Sequence, residues 1–146
     1  MTVITSGEEL GKKIAEAIPG SVVSSDKTSV MLESKSLAQV AEFLKNTPGL
    51  DFNYLNFATA VDYIDYFELV YRVLSMEHNH SLILKTRLYD RENPAVPSLV
   101  AIWRSAYFQE REMFDMFGIK FEGHPDLRRL LTWEGFQGYP LRRDYL

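Results

Sequence analysis

The sequence predicts an α+β fold: a two-layer domain with a mixed, largely antiparallel sheet, helices on one face, and an extended C-terminal arm. Three observations carry this reading. Apolar spacing runs along the chain in the order helix, two strands, helix, three strands. Successive strands are joined by short polar turns, which favours antiparallel neighbours. After Gly118 the periodicity gives way to glycine, proline and arginine.

Each element has a local signature. Ser6 followed by Glu9 forms a capping box, and Leu10, Ile14, Ala17 and Ile18 then recur at helical spacing before Pro19-Gly20. Ser21 to Ser24 and Thr28 to Leu32 lean towards strand on either side of Ser25-Asp26-Lys27, and can pair as a hairpin. Ser36 is placed to cap a second helix, whose Leu37, Val40, Ala41 and Leu44 share a face that ends before Pro48-Gly49. Three longer strands follow. In Tyr66 to Leu74, Phe67, Leu69, Tyr71 and Val73 alternate with Glu68 and Arg72, the pattern of a half-buried strand. Leu82 to Leu88 behaves similarly, and Phe52 to Ala58 fits less cleanly. Beyond the loop Tyr89 to Pro97, Ser98 can cap one short helical piece and Ser105 another that runs to Phe117 and stops at Gly118. The expected division is therefore 1–118 for the domain and 119–146 for the arm.

Composition narrows the possible functions. With 146 residues, 46% of them hydrophobic, the chain can bury one sizeable core and reads as one domain. No apolar run approaches the length of a membrane span, and the N-terminus lacks a basic-then-apolar signal pattern, so a soluble, non-exported chain is expected. The absence of cysteine excludes disulfides, thiolate zinc sites, ordinary iron–sulfur ligation and a cysteine nucleophile. A formal net charge of -4 without a lysine-rich tract removes the electrostatic footprint of a nucleic-acid binder.

Three constellations remain. Trp103, Tyr107, Glu110, Phe114 and Phe117 fall at alternating four- and three-residue spacing, which sets Glu110 within an aromatic stripe if the helix is continuous. A carboxylate there needs a partner, and Arg104, Arg111 or an arginine of the arm can supply one. Arg111 and Asp115, four apart, can also meet. Glu110, Glu112, Asp115 and His124 would be the parts of an acid/base or metal site; we favour an ion-pair network that locks the arm to the domain. Glu77, His78 and His80 invite a metal reading, but with Asn79 between two strands a polar hairpin turn is preferred, so no metal is expected. No nucleophile elbow or phosphate-cradling loop is present. In the arm, five cations including Arg128, Arg129, Arg142 and Arg143 face four acids, and the arginines lie beside Phe121, Leu130, Trp133, Phe136 and Tyr139. That mixture suits a protein–protein contact, with folding back over the chain's own sheet as the alternative.

The run Glu110-Arg111-Glu112-x-x-Asp115-Met116-Phe117-Gly118-Ile119, then Gly123-His124-Pro125-Asp126-Leu127-Arg128-Arg129-Leu130-Leu131, then Gly138-Tyr139-Pro140-Leu141-Arg142-Arg143-Asp144, resembles the signature of the thirty-kilodalton subunit family of NADH-quinone oxidoreductase, respiratory complex I. The resemblance implies a non-catalytic scaffold in the hydrophilic arm of a proton-translocating, membrane-anchored oxidoreductase, peripheral on the cytoplasmic face of the cell membrane. It implies that this chain binds no cofactor, while FMN, iron–sulfur clusters and quinone belong to neighbouring subunits. Its partners would be the large quinone-site subunit and the adjacent terminal-cluster subunit. By the same resemblance Glu110, Arg111, Glu112 and Asp115 are anchoring residues, and His124, Asp126, Arg128, Arg129, Arg142 and Arg143 are contact residues. Two departures stand out: the Trp133-Glu134 order, and a stop at Leu146 where many relatives continue, which implies a shorter interface. Ferredoxin-accepting complexes, archaeal cofactor-oxidising dehydrogenases and membrane-bound hydrogenases use subunits of the same kind. A stand-alone acid/base enzyme built on Glu110 or Glu112 is the rival from another class.

Overall fold

The computed structural model describes residues 3–4, 6–129, 131–132 and 137–143. Strand β1 (Val3–Ile4) precedes helix α1 (Gly7–Ala17), and the hairpin β2 (Val22–Ser25) and β3 (Ser29–Leu32) follows. A single 3-10 turn, Ser34–Ser36, leads into helix α2 (Leu37–Asn46). Then come β4 (Tyr54–Asp62), β5 (Phe67–Ser75), β6 (His80–Leu88), β7 (Ala95–Pro97), helix α3 (Ala106–Phe117) and β8 (Lys120–Glu122).

The main sheet runs β2-β3-β6-β5-β4, and β1 also pairs with β6. Pairing is antiparallel between β2 and β3, β4 and β5, and β5 and β6, and parallel where β6 meets β1 and β3. The sheet is mixed, as the strand order in the sequence predicts. The parallel β3–β6 contact follows from α2, which carries the chain across the sheet as a crossover connection.

Alternation decides what is buried. Phe67, Leu69, Tyr71 and Val73 of β5 join Leu82 and Leu84 of β6, Val30 and Leu32 of β3, and the apolar faces of α1 (Leu10, Ile14) and α2 (Leu37, Val40, Ala41, Leu44) in one core. Each such large side chain contributes roughly 1.5–3 kcal/mol over an exposed one. Lys85 and Arg87 of β6, by contrast, lie opposite Val70 and Glu68 of β5, and Arg87 Nε donates to Glu68 Oε1 at 3.2 Å.

Several local expectations change. The strand expected over Phe52 to Ala58 runs instead from Tyr54 to Asp62, because nine-residue β5 offers it a full-length partner, with a register shift between Leu55 and Phe57. Ser6 does cap α1, accepting from Glu9 N at 3.4 Å. Ser36 does not cap α2: it is already helical within the 3-10 turn and forms no cap bond. Nor does Ser105 cap α3; its hydroxyl donates to Leu55 O at 2.8 Å. Ser98 caps only one turn, accepting from Val100 N at 3.2 Å. The core also continues past the boundary expected at residue 118, since Ile119 and Phe121 are buried and β8 pairs in parallel with β7.

The outer side of β4 is where the sheet would end in unpaired backbone, a template for unwanted pairing. Side chains of the segment entering and forming α3 close it. Trp103 Nε1 donates to Phe52 O at 2.9 Å, Ser105 Oγ donates to Leu55 O, and Gln109 Oε1 accepts from Ala58 N. Helix α3 is thereby fixed along the sheet edge, and its remaining faces are set.

Gly7 tests the packing at the other end. An added Cβ would collide with backbone atoms: Asp26 O, Ser29 O at 2.6 Å and Ser29 N at 2.8 Å. Helix propensity alone favours alanine by about 1 kcal/mol. We expect Gly7→Ala to destabilise instead, by about 1–3 kcal/mol; a urea midpoint at or above that of the wild type would contradict this packing.

Candidate functional site

Helix α3 presents two buried carboxylates, Glu110 and Asp115, and Gly118 ends it in the left-handed conformation at φ 77°. The glycine is required there twice over. A side chain at that φ is strained, and a Cβ would lie 2.7 Å from ring carbons of Tyr139.

Asp115 is completely buried and is met from the returning chain. Arg129 Nε donates to Oδ1 at 2.6 Å, Leu131 N and Thr132 N donate to Oδ2 at 2.5 and 2.9 Å, and the Thr132 hydroxyl also donates to the carboxylate. Burial by itself would raise this carboxyl, but the donors from Thr132, Arg129 and Leu131 outweigh it and hold Asp115 well below the ordinary carboxylate range. Arg129 further donates through Nη2 to Asp115 O at 2.8 Å and Gly138 O at 2.7 Å.

Arg111 completes the clasp. Its Nε and Nη2 donate to the carbonyls of Arg128 and Arg129 at 3.1 and 3.0 Å, so this buried arginine caps backbone rather than a carboxylate. Further along, Arg142 Nε donates to Phe117 O at 2.6 Å and Leu141 N to Met116 O at 3.0 Å, which supplies partners to carbonyls at the C-terminal end of α3. The guanidiniums of Arg129 and Arg142 lie 5.1 and 4.9 Å from the Tyr139 ring centroid, and Arg142 also faces Phe67 at 5.1 Å. Arg91 stacks on the same Phe67 at 4.7 Å and pairs with Asp62 through two bonds of 2.5 and 3.0 Å. Arg143 N donates to Asp62 Oδ2 at 2.9 Å, and Arg91 is the chief reason the Asp62 carboxyl sits well below its usual range.

His124 and Asp126 belong to the same fastening. Asp126 N donates to His124 Nδ1 at 2.9 Å, so Nε2 carries the proton and donates to Tyr107 O at 2.9 Å. Tyr107 Oη donates to Asp126 Oδ2 at 2.9 Å, and Arg128 Nε reaches the same oxygen at 3.0 Å. Glu112 is exposed.

Glu110 departs from the sequence reading. The aromatic stripe is broken, because α3 begins at Ala106 and Trp103 lies in the turn before it. The carboxylate is fully buried as expected, yet its donors are neutral: Ser98 Oγ at 2.5 Å and Leu99 N at 2.7 Å. The turn after β7 reaches Glu110 before any arginine does. Burial raises its pKa to about 7, against the lowering effect of those two donors. The buried Tyr71 hydroxyl, which has no hydrogen-bond partner among the described residues, is pushed up by its own burial and by the Glu110 charge.

The structure thus brings together Arg111, Asp115, His124, Asp126, Arg128, Arg129 and Arg142, all engaged within the chain, with Arg143 attached through its backbone. Asp62, Arg91 and Thr132 are members that sequence reading missed; Arg91 and Asp62 stand 29 positions apart with no local pattern to link them. Leu130, Trp133, Glu134, Phe136 and Asp144, read as part of the arm's contact surface or signature, lie outside the described residues.

Residues 30–146 match the model of the respiratory-chain NADH dehydrogenase, 30 Kd subunit, and so take in the whole of this clasp. The chain belongs to that family. Within the thirty-kilodalton subunit family, the C-type subunit of NADH-quinone oxidoreductase from Parvibaculum lavamentivorans is 42% identical over 142 residues, 95% of this chain and 70% of that protein. The corresponding NADH-quinone oxidoreductase subunit from a Roseiflexus species is 41% identical over 140 residues, 94% of this chain and 80% of that protein. A trypsin-resistant fragment of Nqo5 shares the fold at a TM-score of 0.60 and 31% identity, covering 68% of this chain and 81% of that one. A chain of the membrane-bound sulfane sulfur reductase, an archaeal respiratory membrane complex, superposes at 0.71 over 94% of this chain and 84% of that one with 23% identity, a likeness of fold alone.

The two buried carboxylates are open to separate tests. Asp115→Asn replaces an acceptor of several donors by a group with one acceptor oxygen. It should cost about 3–5 kcal/mol in chemical denaturation and open the chain around Arg128-Arg129 and Gly138-Tyr139 to limited proteolysis; unchanged cleavage would contradict the clasp. For Glu110, the folded pKa of about 7 lies above the ordinary 4.5, so its neutral form suits the folded chain. Its contribution is complete below pH 4.5 and is lost as pH rises through 7, by on the order of 3 kcal/mol. Glu110→Gln, which can still accept from Leu99 N and donate to Ser98 Oγ, should flatten that decline in a pH series of unfolding curves.

Proposed function

We propose that this chain is a non-catalytic scaffold subunit in the hydrophilic arm of an NADH-quinone oxidoreductase, where it docks the quinone-site subunit beside the terminal-cluster subunit. Electron transfer from NADH to quinone, coupled to proton translocation, would run through its neighbours, which would hold FMN, the iron–sulfur clusters and quinone. The chain would sit peripherally on the cytoplasmic face of the membrane; no described helix is long and apolar enough to cross one.

The observation that carries the reading is the clasp on α3. It holds the returning segment by backbone and arginine contacts while Leu131 and Leu141 stay 65% and 54% exposed, and the same segment exposes Arg128 and Arg143. Exposed leucine and arginine side chains on a segment already fastened in place suit a protein partner, because less chain entropy is lost on binding. Of the two readings of the arm, contact with a partner and folding back over the chain's own domain, both would apply: the clasp uses one side and docking would use the side it leaves open. The acid/base alternative finds less support, since Glu110 is sealed in the core and Glu112 is a lone surface carboxylate. Relatives about 40% identical favour the NADH-quinone assembly over the archaeal complex, with which only the fold is shared.

Leu131→Asp/Leu141→Asp tests this. Both side chains are exposed, so the chain should fold normally, while association with the purified quinone-site subunit weakens by about 2 kcal/mol or more. Undiminished binding by calorimetry would reject docking through these side chains.

A further inference from the structure

The three histidines of the sequence are of two kinds. His124 has both ring nitrogens occupied within the clasp. His78 and His80 instead flank the end of the β5–β6 turn, their ring centroids 6.0 Å apart. Asp51, 27 positions before His78, arrives from the loop ahead of β4 and places Oδ2 2.7 Å from His78 Nε2. One donor atom each from Asp51, Glu77 and His78 lie within 4.8 Å of one another.

Among the described residues no lysine or arginine faces the carboxylates of this corner. Asp51 accepts from Gly49 N at 3.1 Å and from His78, and among the described residues no lysine or arginine pairs with it. Glu77, exposed, forms no hydrogen bond or ion pair among the described residues. Two carboxylates thus converge on one imidazole with a second imidazole beside it.

We propose that Asp51, Glu77, His78 and His80 form a surface site for a divalent transition cation of the zinc class. Mixed imidazole and carboxylate donors suit zinc, cobalt or nickel, whereas magnesium and calcium favour all-oxygen sets. The cation takes the place of the proton between His78 and Asp51, and that proton passes to solvent. Rotation of the exposed Glu77 and of His80 closes the donor set. Bound metal ties the loop before β4 to the β5–β6 turn and raises the melting temperature. The hairpin read from sequence is present, and Asp51 is what converts it into a site.

Zinc titration of the full chain by calorimetry, with magnesium as comparison, is the test. One saturable zinc per chain at micromolar concentration, no magnesium uptake, and an upward melting shift are expected. His78→Gln and Asp51→Asn, both at the surface, should each weaken zinc binding about tenfold or more with the circular dichroism spectrum unchanged. In the wild type, zinc should shift the ring resonances of His78 and His80 and leave those of His124 in place. Absence of saturable uptake, equal uptake by His78→Gln, or unmoved His78 and His80 resonances would each overturn the site.

Discussion

Asp115 is the anchor on which the described part of the chain returning over α3 depends. An ionised carboxylate is acceptor-only, and a fully buried one must be supplied with donors or be expelled. The donors that reach the Asp115 carboxylate come from outside α3, so the chain must return from Gly123 onward to bring Arg129, Leu131 and Thr132 to it. The other contacts build on that return. Arg111 covers the carbonyls of the incoming turn, Tyr139 fills the space that Gly118 leaves open, and Arg142 reaches the end of the helix. A stretch with little apolar periodicity is thereby ordered by polar bonds that terminate on α3 or on Asp62.

Glu110, five positions earlier on the same helix, shows how strongly local donors decide the state of a carboxyl. Both acids are fully buried. Asp115 is met by a guanidinium, a hydroxyl and two amides and stays ionised; Glu110 is met by one hydroxyl and one amide, and burial prevails. Their roles separate accordingly. Asp115 anchors the returning chain, whereas Glu110 pins the turn after β7 and brings a near-neutral titration into the core next to Tyr71.

Much of this was legible in the sequence. Alternating Phe67, Leu69, Tyr71 and Val73 place β5, and the face of α2 appears at the expected residues; in α1 Leu10 and Ile14 are buried as expected, whereas Ala17, in the last turn, is exposed. Asp115, Arg129 and the neighbouring arginines are singled out by their pattern. Partner choice was not legible. Arg111 and Asp115 are spaced to pair on one helix, yet each turns towards the returning chain; Glu110, for which the sequence offers arginines, is met by Ser98 and Leu99. Cap assignments failed for the same reason, since Ser105 has a competing acceptor in Leu55 O that no local rule includes. The β7–β8 ladder escaped because three-residue strands carry too little periodicity to register.

By itself the sequence determined the α+β class, the two amphipathic helices, the paired strands, the lack of any thiol chemistry and, through the Glu-Arg-Glu and Asp-Leu-Arg-Arg blocks, the family. These depend on spacing along the chain or on composition, which folding does not alter. Tertiary structure decided where the arm residues spend their bonds, which carboxyl stays charged, and that Asp51 meets His78 at the hairpin end. Those outcomes depend on groups tens of positions apart competing for the same donors. The winner is set by which atoms packing brings within about 3 Å, a distance the linear order does not encode. Thus the described residues of the segment that reads as an extended arm are fastened to α3 and, through the Arg143 backbone, to Asp62.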